Sequence, residues 1–374
     1  MSPDTAPAIA YELLIDGTTA DQDLRDRIVQ IELEEHADMA DMLRLTLAVG
    51  VREKGRGWSV LDNDVFARLT PIQLRIAVGS GSVQTLFNGY VIETGAQLSD
   101  RPGQSRMTVV AMDASVLMLL EEKTRSWPNM SDSSIAAAIF SEHGFTPQVD
   151  ATQPVRSESD VVVQQCAADM PFLKQLAARN GYECKVVPNP HTGQNEGHFH
   201  PPRLNDAPQM TLSVNFGDAT NVEEFEIRYD MLRAAAVRAQ DIDIHSLQVQ
   251  EARSESLSWE TLGAIPALAS ERPRIRRLKT VGLAETGELQ TYAQALVDRW
   301  ALAAISAQGA LRPAQAGQVL RARRPVLVRG AGPNFSGLYY VTRVTHLITS
   351  DSYSQRFTLY RNALGLTGQE SFPS

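Results

Sequence analysis

The chain has 374 residues, 43% hydrophobic and 21% charged, with 35 basic and 44 acidic side chains for a net charge of −9. At roughly one domain per ~150 residues this predicts two or three domains with substantial cores, and the composition excludes a disordered or collagenous chain. The acidic balance disfavours a general grip on duplex DNA, which depends on neutralising phosphates with basic side chains. Cys166 and Cys184 are the only cysteines, and a chain of this size needs no disulfide, so they read as reduced, half-buried thiols. Met1-Ser2-Pro3-Asp4 lacks the basic and apolar regions of a cleaved signal. No apolar run approaches the ~18 residues of a membrane span, so cytosolic synthesis without a cleaved signal is expected.

Residues 1–112 read as a first antiparallel β-barrel domain, because period-2 alternation puts every second side chain on one sheet face. Val29, Ile31 and Leu33 alternate with Gln30, Glu32 and Glu34; Leu43 to Val49 and Ile72 to Val78 repeat the pattern. A mixed α/β region is expected over 113–205. Asp113 is placed to cap a short helix through Leu117 and Leu120; a second helix runs from Ser133 to a stop at Gly144; a third follows Asp169 and ends at Asn180-Gly181, before a strand from Tyr182 to Val187. Residues 206–245 read as strands contributing to a second barrel: Met210 to Phe216 on one face, then Val222 to Tyr229 and Val237 to Ile244. Over 246–310 the sequence predicts a long connection (246–285, without sustained periodicity) and a helix near Glu288 to Ala304, with Leu289, Tyr292, Leu296 and Trp300 at helical spacing. Residues 311–374 read as the C-terminal part of the second barrel, with strands around Val326, Tyr339 and Phe357.

An internal similarity joins the two ends. Pro71-Ile72-Gln73-Leu74, Phe87-Asn88-Gly89 and Arg106-Met107-Thr108-Val109 lay, in order, over Pro325-Val326-Leu327-Val328, Phe335-Ser336-Gly337 and Arg356-Phe357-Thr358-Leu359. A repeat of this kind implies two related barrels separated by a mixed insertion, with Gly89 and Gly337 as equivalent positions.

Chemistry-bearing motifs are sparse. His191, His198 and His200 are the one metal-like group, and His198 and His200 would share a strand face, yet the segment is rich in Gly, Asn and Pro. It reads as an exposed hairpin tip that binds no metal. Gly79-Ser80-Gly81-Ser82 joins two strands and is not a strand-to-helix nucleophile elbow; Gly330-Ala331-Gly332, followed by Pro333, opens no phosphate-cradling helix. Glu34-Glu35, Glu121-Glu122 and Glu223-Glu224 read as solvated faces and not as general acids and bases. The basic run Arg272 to Lys279 suits either an acidic partner surface or solvent, and lacks the aromatic interleaving of a nucleic-acid groove. No catalytic, cofactor-binding or metal-binding residue is assigned.

Several segments resemble the late-control gene D proteins of phage tails and the hub portion of type VI secretion VgrG spikes. Leu86-Phe87-Asn88-Gly89-Tyr90-Val91 is similar to that family's early F-x-G-x-V strand, and Gln165 to Tyr182 to its helix leading into a Gly-aromatic strand. Phe216-Gly217-Asp218 with Val222 to Phe225, and Phe335 to His346 with Tyr353 and Phe357 to Asn362, resemble its later segments. The resemblance implies a mainly β fold with an α+β insertion and a structural, non-enzymatic role. It implies a baseplate hub of a phage tail or contractile injection system, a homotrimeric ring of two barrels per subunit that adapts a six-fold tail tube to a three-fold spike. The implied partners are a separate spike protein, the tail tube or its initiator, other baseplate components and a tape-measure protein in the lumen, with no membrane, specific nucleic acid or cofactor. Twelve residues follow Asn362, so the spike is expected on another chain and residues 365–374 are expected to bury little and to lie near it. Competing classes are a tail-associated metal-dependent or cell-wall-degrading enzyme and a surface-binding adhesin module; metal content, activity on peptidoglycan and glycan binding separate them.

Overall fold

The computed structural model describes residues 9–50, 60–61, 64–78, 82–101, 103–156, 158, 162–242, 247–269, 272–279, 286–312 and 318–372. The first unit comprises β1 (Ile9–Ile15), β2 (Thr18–Thr19), β3 (Ile28–His36), β4 (Met42–Ala48), β5 (Pro71–Val78), β6 (Gln84–Gln97) and β7 (Arg106–Asp113), with a short helix α1 (Gln22–Arg27) capped by Asp21. The strands hydrogen-bond in the order β3-β4-β7-β6-β5-β1-β2. Ile31, Leu33, Leu43, Leu45, Ile72 and Leu74 turn inward into one core, as the alternation predicts. Val29 does not join them: it is the extra residue of a β-bulge between Ile28 and Gln30 and is 40% exposed. Gly79, Ser80 and Gly81 of the Gly-Ser motif lie outside the described residues.

Asp113 caps a 3₁₀ turn, Ala114–Leu119, accepting the Ser115 N–H at 2.8 Å. The mixed region follows with β8 (Glu122–Trp127), α2 (Asp132–Glu142), β9 (Thr146–Val149), β10 (Val163–Ala168), α3 (Asp169–Asn180), β11 (Glu183–Pro188) and β12 (Asn195–His200). Ser131 caps α2 by accepting the Ser134 N–H, so the helix starts at Asp132, one residue before the expected Ser133. Both sides of this region tie to the main sheet: Asn88 on β6 donates to the Gly193 carbonyl at 2.9 Å, and the Glu183 carboxylate receives a hydrogen bond from a later tyrosine described below.

The second unit begins with β13 (Thr211–Ser213) and β14 (Val222–Tyr229). Phe216 lies past β13 and is exposed, with the Arg329 guanidinium 4.2 Å over its ring. An inserted layer comes next: β15 (Ala236–Ile242), β16 (Val249–Ser254), β17 (Ile265–Pro266), β18 (Ile275–Lys279) and α4 (Thr286–Leu302). The span 246–285 is thus more than a connection. β16 and β18 flank β15, antiparallel and parallel, and α4 covers the sheet with Leu289, Ala293, Val297 and Ala301. β15, expected in the second barrel, belongs to this layer instead. The unit ends with β19 (Ile305–Leu311), β20 (Pro325–Arg329), β21 (Gly337–Thr349), β22 (Tyr353–Arg361) and β23 (Ala363–Leu364). Gly365 is not part of a loose tail, since its N–H reaches the Asn334 carbonyl and its carbonyl accepts from Arg361.

The two units share five strands in the same hydrogen-bonded order, β3-β4-β7-β6-β5 and β14-β19-β22-β21-β20. Registers match as well. Pro71 faces Tyr90 and Pro325 faces Tyr340; Tyr90 faces Met112 and Tyr340 faces Tyr360. Bulges recur at the same places, between Val91 and Glu93 as between Val341 and Arg343, and between Ile28 and Gln30 as between Val222 and Glu224. This register keeps the Pro71–Pro325 match but moves the other two by two residues, so Gly89 corresponds to Tyr339 and not to Gly337. A slip of two leaves every side chain on its original face, which is why alternation alone does not detect it. β21 pairs antiparallel with β3, fusing both units into one 13-stranded sheet, and neither unit closes into a hydrogen-bonded ring among the described residues.

Candidate functional site

The β21–β3 seam carries the densest group of buried charges. Glu35 on β3 is fully buried, in phase with Ile31 and Leu33, and only its neighbour Glu34 keeps to the outward face expected of both. Arg321 Nε donates to it at 2.7 Å, the Ala322 N–H at 3.0 Å, and His346 Nε2 lies 3.7 Å away. Burial pushes the Glu35 carboxyl up, but Arg321, His346 and Arg323 outweigh it and hold the group below its ordinary value. Arg323 makes a two-pronged pair with Asp41 at 2.8 and 2.7 Å and also donates to the His36 carbonyl. Asp113 accepts the Asp41 N–H at 2.6 Å; burial and the Asp41 charge push its carboxyl up to about 6. A charged lock therefore joins the segment before β20 to the inner strands of the first unit.

A second ionic group holds the mixed region to the inserted layer. Arg156 donates to Asp132 on α2 at 2.7 Å and to Glu288 on α4 at 2.6 Å, and Asp132 also accepts from Arg179 Nε and Asn180 at the end of α3. Gly181, with φ 70°, ends α3 where a Cβ would sit 3.1 Å from the Ala295 side chain, so a glycine serves both the left-handed cap and the helix approach. Tyr340 on β21 is the tyrosine that donates to Glu183, at 2.7 Å.

Only His191 stands at the exposed hairpin tip expected of all three histidines; His198 and His200 do not. His191 lies in the turn between β11 and β12, while β12 runs between β11 and β9 and carries His198 and His200 inward. Their rings hydrogen-bond each other (3.1 Å), and His200 Nδ1 meets the Pro201 carbonyl at 2.7 Å. Burial, then the Lys185 and His200 charges, push His198 down to about 2; burial and Lys185 likewise lower His200. The Gly-Asn-Pro composition marks the turn at 189–194 and not the strand after it. No cluster of three or more His, Cys, Asp or Glu able to hold a metal occurs among the described residues. Glu121, Glu122, Glu223 and Glu224 are exposed as expected, Gly330 and Gly332 are turn residues with φ 83° and 82°, Cys166 is exposed and Cys184 buried. In the basic run, Arg276 stacks 4.5 Å over Trp300 and Arg274 donates to the Leu232 carbonyl.

The family model described as Alg8 N-terminal domain matches residues 5–350. The chain belongs to that family. No curated protein matches the sequence. Among solved structures, the tail protein of Neisseria meningitidis MC58 is similar at 11% identity over 95% of this chain and 97% of that one, with a TM-score of 0.66. The 43 kDa tail protein of prophage MuSo2 from Shewanella oneidensis is similar at 12% identity, over 96% and 100%, with a TM-score of 0.64. The Escherichia coli c3393 protein, a component of the type VI secretion system, is similar at 13% identity, over 97% and 79%, with a TM-score of 0.60. This family member therefore has the fold of phage tail proteins and of a secretion-system component, a mainly β fold with an α+β insertion. Family membership by itself states no chemistry. The residues that sequence reasoning missed, Glu35, Arg321, Arg323 and Asp41, hold units together, and their only sequence signal is charge inside alternating or polar segments.

Proposed function

We propose that the chain is a structural baseplate hub of a phage tail or contractile injection system: a homotrimer whose six related units form a ring between a six-fold tail tube and a three-fold spike. The observation that carries this reading is the register-matched duplication. Two equivalent units per chain turn a three-fold ring into a pseudo-six-fold one, able to meet a six-fold partner on one face. The mixed region and the inserted layer break that equivalence and keep three-fold character for the other face. The shared fold with tail proteins supports a place in such a particle, with the spike on a separate chain, the tail tube or its initiator, other baseplate components and a tape-measure protein as partners. Catalysis is no part of this role: the buried charges lock units together, and the histidine pair is held neutral within a strand. Labelling the chain in intact particles with an antibody fragment tests the reading. One axial site at the tube end is expected; labels around the periphery or on distal fibres overturn it.

A further inference from the structure

Applying the internal repeat to the seam between the units leaves two strand edges without a partner. Inside the chain, β21 from Arg343 to Thr349 pairs with β3 from His36 to Gln30. The repeat carries β3 onto β14 and this part of β21 onto the end of β6, just past its bulge. Yet β14 pairs only with β19, and β5 covers β6 only as far as Tyr90, so among the described residues neither the outer edge of β14 nor the edge of β6 from Glu93 to Gln97 has a strand beside it. We propose that these edges pair with each other between copies of this chain, β6 of one subunit adding antiparallel to β14 of the next.

The register follows from the seam. Ala96 stands opposite Ile227, Thr94 opposite Tyr229, and Leu98 opposite Phe225, as His346, Val344 and Ile348 stand opposite Leu33, Glu35 and Ile31. Burial fits a missing partner. All six side chains of the intrachain seam are buried, whereas Phe225, Ile227 and Tyr229 are half-buried, Thr94 and Ala96 are exposed, and Leu98 is 51% exposed. An apolar row on a free strand edge is a pairing template. On the outer face Glu93 would stand opposite Asp230, a like-charge pair, with Arg228 diagonal to Glu93. The contact is head-to-tail, so it generates a ring when its rotation closes. It rests on the hub reading only for the number of copies, three.

A cross-link reads the pairing. Directly opposed residues of an antiparallel pair have Cα atoms ~4.5–5.5 Å apart, within disulfide reach. Ala96→Cys and Ile227→Cys are combined in one chain with Cys166→Ser, oxidised gently and run without reductant. The mismatched control, Ala96→Cys with Glu224→Cys, places its thiols three residues apart on opposite faces. The expected result is a shift of most of the 41.0 kDa chain to a covalent trimer for the first variant and not for the control. Trimers by solution mass in which the 96–227 pair stays reduced overturn the edge pairing and leave the ring reading standing. Covalent rings of another size support the pairing and overturn three-fold symmetry. A chain that stays monomeric and uncross-linked up to its solubility limit overturns the pairing, and the hub reading is then decided by particle labelling alone.

Discussion

The two units use one strand framework but fill its equivalent positions in opposite ways. Where the first ends β7 on Asp113, the second ends β22 on Arg361, both fully enclosed. Asp113 satisfies two backbone N–H groups and sits beside Asp41. Arg361 satisfies backbone carbonyls instead, of Leu262 (3.0 Å), Ser336 (3.0 Å) and Gly365 (2.5 Å), with the Tyr339 ring 5.2 Å away. Burial lowers the Arg361 pKa, but its donors remain occupied. The difference teaches that the framework is set by apolar alternation and bulges, while the buried charge at a given position is chosen by the backbone groups left over around it. Arg361 gathers the segments leading into β17 and β21 and the chain after β23; Asp113 gathers the entry to β4 and the turn into the mixed region.

Removing Arg361 is expected to have the largest effect. Arg361→Met leaves several buried carbonyls without donors and should cost about 3–5 kcal/mol, read as a lower urea midpoint. Glu35→Gln comes next at about 3 kcal/mol, because it leaves Arg321 buried without its counter-charge. A double-mutant cycle of Glu35 with Arg321 should return a coupling above about 1 kcal/mol, and additive single costs would contradict a lock between units. Gly89→Ala should cost about 1–3 kcal/mol, since its Cβ would lie 2.1 Å from the Met112 carbonyl oxygen. Tyr339, its counterpart, is a buried core side chain whose hydroxyl donates to Phe335, so Tyr339→Phe should cost only about 1 kcal/mol.

The smallest effect sharpens the comparison through pH. Glu35 is held below its ordinary 4.5, so its stabilisation is present above that value and is lost as pH falls. Asp113 is raised from 3.8 to about 6, so its contribution is fully present below 3.8 and is lost as pH rises through 6. Thermal midpoints measured from pH 7 down to 2.5 should show Glu35→Gln flattening the acid-side loss below pH 4.5. Asp113→Asn should change stability by less than about 1 kcal/mol at pH 7 and cost more at pH 5, where the wild-type group has gained its proton. An Asp113→Asn cost that shrinks on acidification would contradict the assignment.

Much of the framework was legible because alternation survives wherever one face is buried. Ile31, Leu33, Leu43 and Leu45 declared β3 and β4, and the apolar stripe of α3 with its Gly181 stop declared that helix. Of the inserted layer, β15 was legible as a strand though not in its place, and β16 and β18 were not legible. β16 turns only Ala252 and Ser254 fully inward, and β18 presents Arg276, Arg277 and Lys279 to solvent, so neither shows a period. Val237, Ala239 and the α4 face bury that sheet instead, and small residues leave a faint signal. Glu35 was misread because the group that makes its burial tolerable, Arg321, lies 286 residues away along the chain. The repeat was visible but its register was not, since only the paired bulges distinguish a match from a slip of two.

The most direct test of the central claim is a reconstruction of the assembled particle's tail end without imposed symmetry. The account predicts three copies of this chain on the particle axis, with six equivalent units alternating around the ring and strand continuity between β6 of one copy and β14 of the next. Six copies, or a site away from the axis, would contradict it.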